Sequence, residues 1–117
     1  MRGPRDLTLD DVPHEMVAGI LGAESYRCAT PNSLLLPVAN IRAPVRKLNR
    51  EALESIIAGV RANESIEPIR VYLLDSAMVD LLDGLHRLRT SIACRFRLIP
   101  CQLISLEDAR EFFRYRG

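Results

Sequence analysis

Asp83-Gly84-Leu85-His86-Arg87-Leu88-Arg89 decides how the rest of the chain is read, because a strand pattern gives way there to a helix pattern. Upstream, Ile69, Val71 and Leu73 alternate with Arg70, Tyr72 and Leu74, and after Asp75-Ser76-Ala77 the run Met78 to Leu82 completes a hairpin. Downstream, Leu85, Leu88, Ile92 and Phe96 have the spacing of a helix packed on a sheet. A helix N-terminus carries partial positive charge, so His86, Arg87 and Arg89 stand where cations are disfavoured, each by up to ~1 kcal/mol. Asp83 supplies one compensating charge. An anion held by the Gly84 amides, His86 and Arg87 would supply the rest, and Gly84, lacking Cβ, would let a phosphate approach the main chain. A solvated basic first turn paired with Asp83 fits the same residues, and at this point both readings stand.

Moving outward, Asn49 is placed to cap a helix with Glu51 in its first turn, and Leu53, Ile56, Ile57 and Val60 form its inner stripe until Asn63. Leu34 to Val38 is predicted to be a short buried strand, followed by Ile41-Arg42-Ala43-Pro44 as an irregular loop that Pro44 keeps out of helix. Arg42 and Arg46 with Lys47 form a second basic cluster, which meets the later helix start if the two strands are neighbours. Near the N-terminus, Asp10 or Asp11 can cap a helix with Pro13 in its first turn and Val12, Met16, Val17, Ile20 and Leu21 on one side; Gly22 ends it, and a connector runs to Ser33. That stripe is either a flap on the core or the contact for a homodimer or protein partner. Leu98 to Ile104 is the last strand, with Pro100 arguing for its beginning or for an edge, and Ser105-Leu106-Glu107-Asp108 resembles a capping box opening a helix through Tyr115. The expectation is a small α+β domain over 34–117, a mixed sheet of about four strands flanked by helices, with an N-terminal helix and connector over 1–33.

A chain of 117 residues, 48% apolar and 26% charged, suits one globular domain that buries roughly two thirds of its unfolded surface. The net charge of +1 leaves no global field for nucleic acid or membranes, so any charge-driven function is local. Lys47 is the single lysine among 16 basic residues, and a GC-rich coding bias accounts for that arginine excess as well as function does. Cys28, Cys94 and Cys101 form no CxxC pair and suit neither a disulfide framework nor zinc. No apolar run approaches membrane-spanning length and Met1 to Asp11 lacks the apolar core of a signal peptide, so a cytoplasmic location is expected. Three Tyr and three Phe without Trp offer few platforms for single-stranded nucleic acid.

Ile41-Arg42-Ala43-Pro44, the helix from Asn49, Glu67-Pro68-Ile69-Arg70-Val71, Asp83-Gly84-Leu85-His86-Arg87 and Ile99-Pro100-Cys101 resemble, in order, successive blocks of the ParB/sulfiredoxin superfamily, from about Leu34 to Tyr115. The resemblance favours the phosphate site. It implies ATP or CTP, with Mg²⁺ bridging phosphate oxygens, held by Gly84, His86 and Arg87 with Arg42 and Arg46. Arg89 joins them through the arginine-rich ParB turn that resembles Gly84 to Thr90. Sulfiredoxins carry a catalytic cysteine where this chain has Leu85, so sulfinic acid repair is not expected. ParB proteins follow this domain with a helix-turn-helix domain, and without one sequence-specific DNA binding is not expected. A third branch resembles free-serine kinases, which use an acid near the first-strand loop. No acid lies between Ile41 and Asn49, so Asp83 is the preferred catalytic candidate ahead of Glu51 and Glu67, with capping of the helix as its structural alternative. Nucleotide binding is thus expected, with hydrolysis or phosphoryl transfer left open and a non-catalytic interaction module as the alternative.

Overall fold

Three helix starts show how local chemistry sets the frame. Asn49 has extended backbone, and its side chain accepts the Ala52 N–H at 2.9 Å, opening α1, Arg50–Arg61; Asn63, at φ +56°, follows its end. Ser105 Oγ accepts the Asp108 N–H at 3.1 Å and opens α3, Leu106–Arg116, completing one half of the expected capping box. The helix between them, α2, Leu85–Ala93, begins on Gly84 in the left-handed region and has no side-chain cap. The computed structural model describes residues 12–20, 23–73 and 78–116. The proposed caps Asp10 and Asp11, the stripe residue Leu21, Gly22, and the turn Asp75-Ser76-Ala77 lie outside the described residues.

Five strands form one sheet: β1, Leu34–Pro37; β2, Ile41–Arg42; β3, Ile69–Leu73; β4, Val79–Asp83; and β5, Leu98–Ile104, in the order β1-β5-β3-β4-β2. The sheet is mixed, with β1/β5 and β3/β4 antiparallel and β3/β5 and β2/β4 parallel. Ile69, Val71, Leu81, Ile99 and Cys101 turn to one face and make the core with Leu88 of α2, while Leu53 and Ile57 of α1 join Leu48 in an adjoining cluster. Among the described residues no helix is long and apolar enough to cross a membrane.

Four expectations change. Ile41-Arg42 is strand rather than loop, because Ile41 pairs with Val79 and is buried, which makes the count five instead of about four. β1 is an edge strand, so Leu34 and Leu35 stay 47% and 49% exposed where a buried strand was expected. β5 is an interior strand despite Pro100; pairing with β3 begins only at Cys101, so at the proline only β1 lies alongside. The N-terminal helix shrinks to a single 3₁₀ turn, His14–Val17, which follows extended Pro13 and is closed by the Met16 N–H donating to the Pro13 carbonyl.

That short turn is a flap. Val12 and Val17 are buried against Leu48, Leu53 and Ile57, Met16 and Ile20 are half-buried beside them, and Arg61 donates to the Ala18 and Met16 carbonyls at 2.8 and 3.0 Å. The connector also enters the core: Tyr26 is 4% exposed and its hydroxyl donates to the Glu67 carbonyl at 2.7 Å.

Candidate functional site

Parallel pairing of Ile41 with Val79 and Arg42 with Asp80 brings the carboxyl ends of β2 and β4 to the same end of the sheet, where ligands of α/β sheets collect. A cleft of about 670 Å³ opens there, within the ~300–1,000 Å³ usual for small-molecule sites. Of the residues singled out in the sequence, Arg42, Arg46, Asp83, Gly84, His86 and Arg87 line it together with Lys47; Arg89, further along α2, does not.

The start of α2 is the cleft's most polar backbone. The Leu88 N–H makes the first helical bond, to the Gly84 carbonyl at 2.9 Å, which leaves the Leu85, His86 and Arg87 amides ahead of it without a side-chain cap. Gly84 is needed for the turn itself: φ is +112°, and a Cβ would lie 2.7 Å from Ile69 Cγ2 and 3.1 Å from an Arg87 terminal nitrogen. The missing side chain thus lets the turn close on β3, a reason the sequence did not reveal.

Asp83 does not cap α2. The β3/β4 register slips between Arg70 and Val71, setting Arg70 opposite Asp83, and the Asp83 carboxylate accepts from Arg70 Nη2 at 3.1 Å with Arg87 Nη2 3.6 Å away. Arg87, 17% exposed, also donates through Nη1 to the Glu67 and Pro68 carbonyls at 3.1 and 2.8 Å. Its guanidinium therefore ties the helix start to the entry of β3. Arg42 makes a forked pair with Asp80, Nε to Oδ1 at 2.7 Å and Nη2 to Oδ2 at 3.3 Å. Among the described residues Arg46 and Lys47 have no ion pair, and both are exposed. Four cationic side chains consequently face two carboxylates across the cleft.

His86 accepts the Asn49 N–H through Nε2 at 2.8 Å, so the neutral ring carries its proton on Nδ1 and links the start of α2 to the cap of α1. Burial lowers its pKa from the ordinary 6.5. A folded-state pKa below the unfolded value means that the unfolded chain takes up the proton first. The contribution to stability is therefore complete above about pH 6.5 and erodes as pH falls below it. Melting at pH 7.5 and pH 5.5 should show a larger acid loss for the wild type than for His86→Asn; equal losses would remove His86 as the source.

Sequence reasoning missed Arg70, Asp80, Tyr72 and Phe113. Tyr72 pairs across the strands with Asp80, and Phe113 of α3 meets the Tyr72 ring edge-on, centroids 5.9 Å apart. The alternation in β3 held the signal for Tyr72 and Arg70, which share the face opposite Ile69 and Val71. Cys101 is buried, with its thiol pushed up to about 12 by desolvation, which suits the inert role expected of it.

No protein-family model and no curated protein matches the chain. Among solved structures it is similar to sulfiredoxin from Arabidopsis thaliana, at 22% identity and a TM-score of 0.57 over 72% of this chain and 99% of that one. It is similar also to the C-terminally truncated chromosome-partitioning protein ParB from Caulobacter crescentus. The ParB complex with CTP-γ-S matches at 20% identity and a TM-score of 0.55 over 73% of this chain, and the complex with the centromeric parS site at 24% and 0.51 over 68%. The match takes in 52% and 44% of those two ParB chains, about half their length. At these TM-scores the chain shares the fold of these sulfiredoxin and ParB structures.

Proposed function

We propose that the cleft binds the phosphates of a nucleotide, ATP or CTP, at the start of α2. The observation that carries this reading is a helix N-terminus without a side-chain cap, opening into a cleft where cationic side chains outnumber carboxylates. The Leu85, His86 and Arg87 amides would meet phosphate oxygens directly, His86 Nδ1 adds a donor, and the exposed Arg46 and Lys47 neutralise charge. Arg42 and Arg87, held by Asp80 and Asp83, add positive potential from fixed positions. Arg89 lies outside the cleft lining and is assigned no contact in this reading. The likeness to a ParB structure complexed with CTP-γ-S supports the same ligand class. Mg²⁺ would accompany the nucleotide's phosphates.

Binding is the function proposed. Asp83 and Asp80 each pair with a guanidinium group at the cleft wall, and Asp83 remains the candidate acid for any later chemistry. Leu85 offers no thiol at the helix start. For the interaction-module alternative, Met16 and Ile20 are half-buried against the Leu53 cluster, so the stripe offers only part of its apolar surface.

Thermal melting with Mg²⁺ and ATP, CTP or GTP tests the proposal. A ligand at 100 times its dissociation constant adds about 2.7 kcal/mol, a rise on the order of 10 °C for a chain of this size. A melting temperature unchanged by every nucleotide overturns it.

A further inference from the structure

The cleft has two chemically distinct ends. On β3 two residues separate Tyr72 from Arg70, which lies opposite Asp83, so Tyr72 stands roughly 10 Å from Gly84 and the start of α2 at the strand's rise. Tyr72 and Phe113 both line the cleft, and Phe113 is 43% exposed. An edge-on aromatic pair thus leaves ring surface in the cleft, beside the Arg42–Asp80 pair and away from the uncapped start of α2.

We infer that Tyr72 and Phe113 form the stacking platform for a nucleobase, so that the cleft takes a phosphate ester bearing a planar aromatic ring in preference to a bare polyphosphate. This rests on the phosphate site proposed above and names what occupies the other end. The rings stand 77° apart, so a base stacks on the face of one and meets the other edge-on; every base has such a face, so selection among bases is weak and selection for a base is strong. The spacing agrees: phosphates at the α2 amides leave the sugar to cross the floor formed by the end of β4. α3, which positions Phe113, becomes a functional wall of the site rather than a terminal decoration.

The experiment compares Mg²⁺-ATP with Mg²⁺-tripolyphosphate on the full chain by calorimetry. The wild type should bind ATP at least tenfold more tightly than tripolyphosphate. Phe113→Ala and Tyr72→Leu should each weaken ATP about tenfold and leave tripolyphosphate unchanged. The ratio of the two affinities is measured within one folded sample, so a loss of stability in either variant does not mimic the result. The chain contains no tryptophan, so Phe113→Trp supplies a single reporter whose emission should be quenched by ATP and not by tripolyphosphate. Equal binding of ATP and tripolyphosphate by the wild type overturns the platform while sparing the phosphate site. ATP affinity unchanged in both variants overturns it as well. Binding of neither ligand overturns the platform together with the phosphate site.

Discussion

Gly84→Ala should lower the stability of the unliganded protein by about 3 kcal/mol, and it is the most damaging single-atom-scale change expected at the site. Two costs combine. A side chain at φ +112° is strained by ~1–2 kcal/mol, and the new Cβ would lie 2.7 Å from Ile69 Cγ2, a contact that must be relieved by moving either the turn or a fully buried core residue. Overpacking of that kind adds ~1–3 kcal/mol. Gly84→Asn separates the two, since asparagine tolerates positive φ better than alanine yet carries the same Cβ. Denaturant titration should place Asn close to Ala; an asparagine variant as stable as wild type would show that crowding against Ile69 is absent.

Arg87→Met should cost ~2–3 kcal/mol of stability and weaken nucleotide binding at least tenfold. The methionine keeps much of the stem's packing but removes the donors to the Glu67 and Pro68 carbonyls and leaves Asp83 with Arg70 as its one ion-pair partner among the described residues. The 17% exposure of Arg87 means that water restores only part of what is lost. Arg87→Lys should recover little, because one ammonium cannot span two carbonyls and a carboxylate as the guanidinium fork does. Equilibrium unfolding gives the first number and calorimetry below the melting temperature the second. A variant that binds nucleotide as tightly as wild type would confine Arg87 to a structural role.

The features legible in the sequence were those that one element specifies for itself. Asn49 and Ser105 cap their helices as their types predict, the period-two run from Ile69 gave β3, and Gly84 marked the start of α2. What escaped notice depended on neighbours far away in the chain. A strand of two residues such as β2 has no period to detect, and with it went the parallel pairing that sets Arg42 against Asp80. The exposure of Leu34 and Leu35 is a property of sheet order, and the role of Asp83 follows from a register slip that brings Arg70 opposite it. Tyr26 sat in a stretch without periodicity, yet it is buried by contacts with Glu67 and the core. The basic cluster of the first loop and the helix start were each visible; their convergence required the sheet.

One consequence of β1 concerns handling rather than chemistry. Its outer rim carries open hydrogen-bonding groups beside two half-bare leucines, the kind of margin on which strands from other molecules can accrete. Brevity is the safeguard: the rim is four residues long and closes with Pro37, which has no amide hydrogen to offer an incoming strand. Replacing Pro37 with a β-former such as threonine would remove that terminator and should shorten the shelf life of concentrated samples, visible as rising light scattering with no fall in melting temperature.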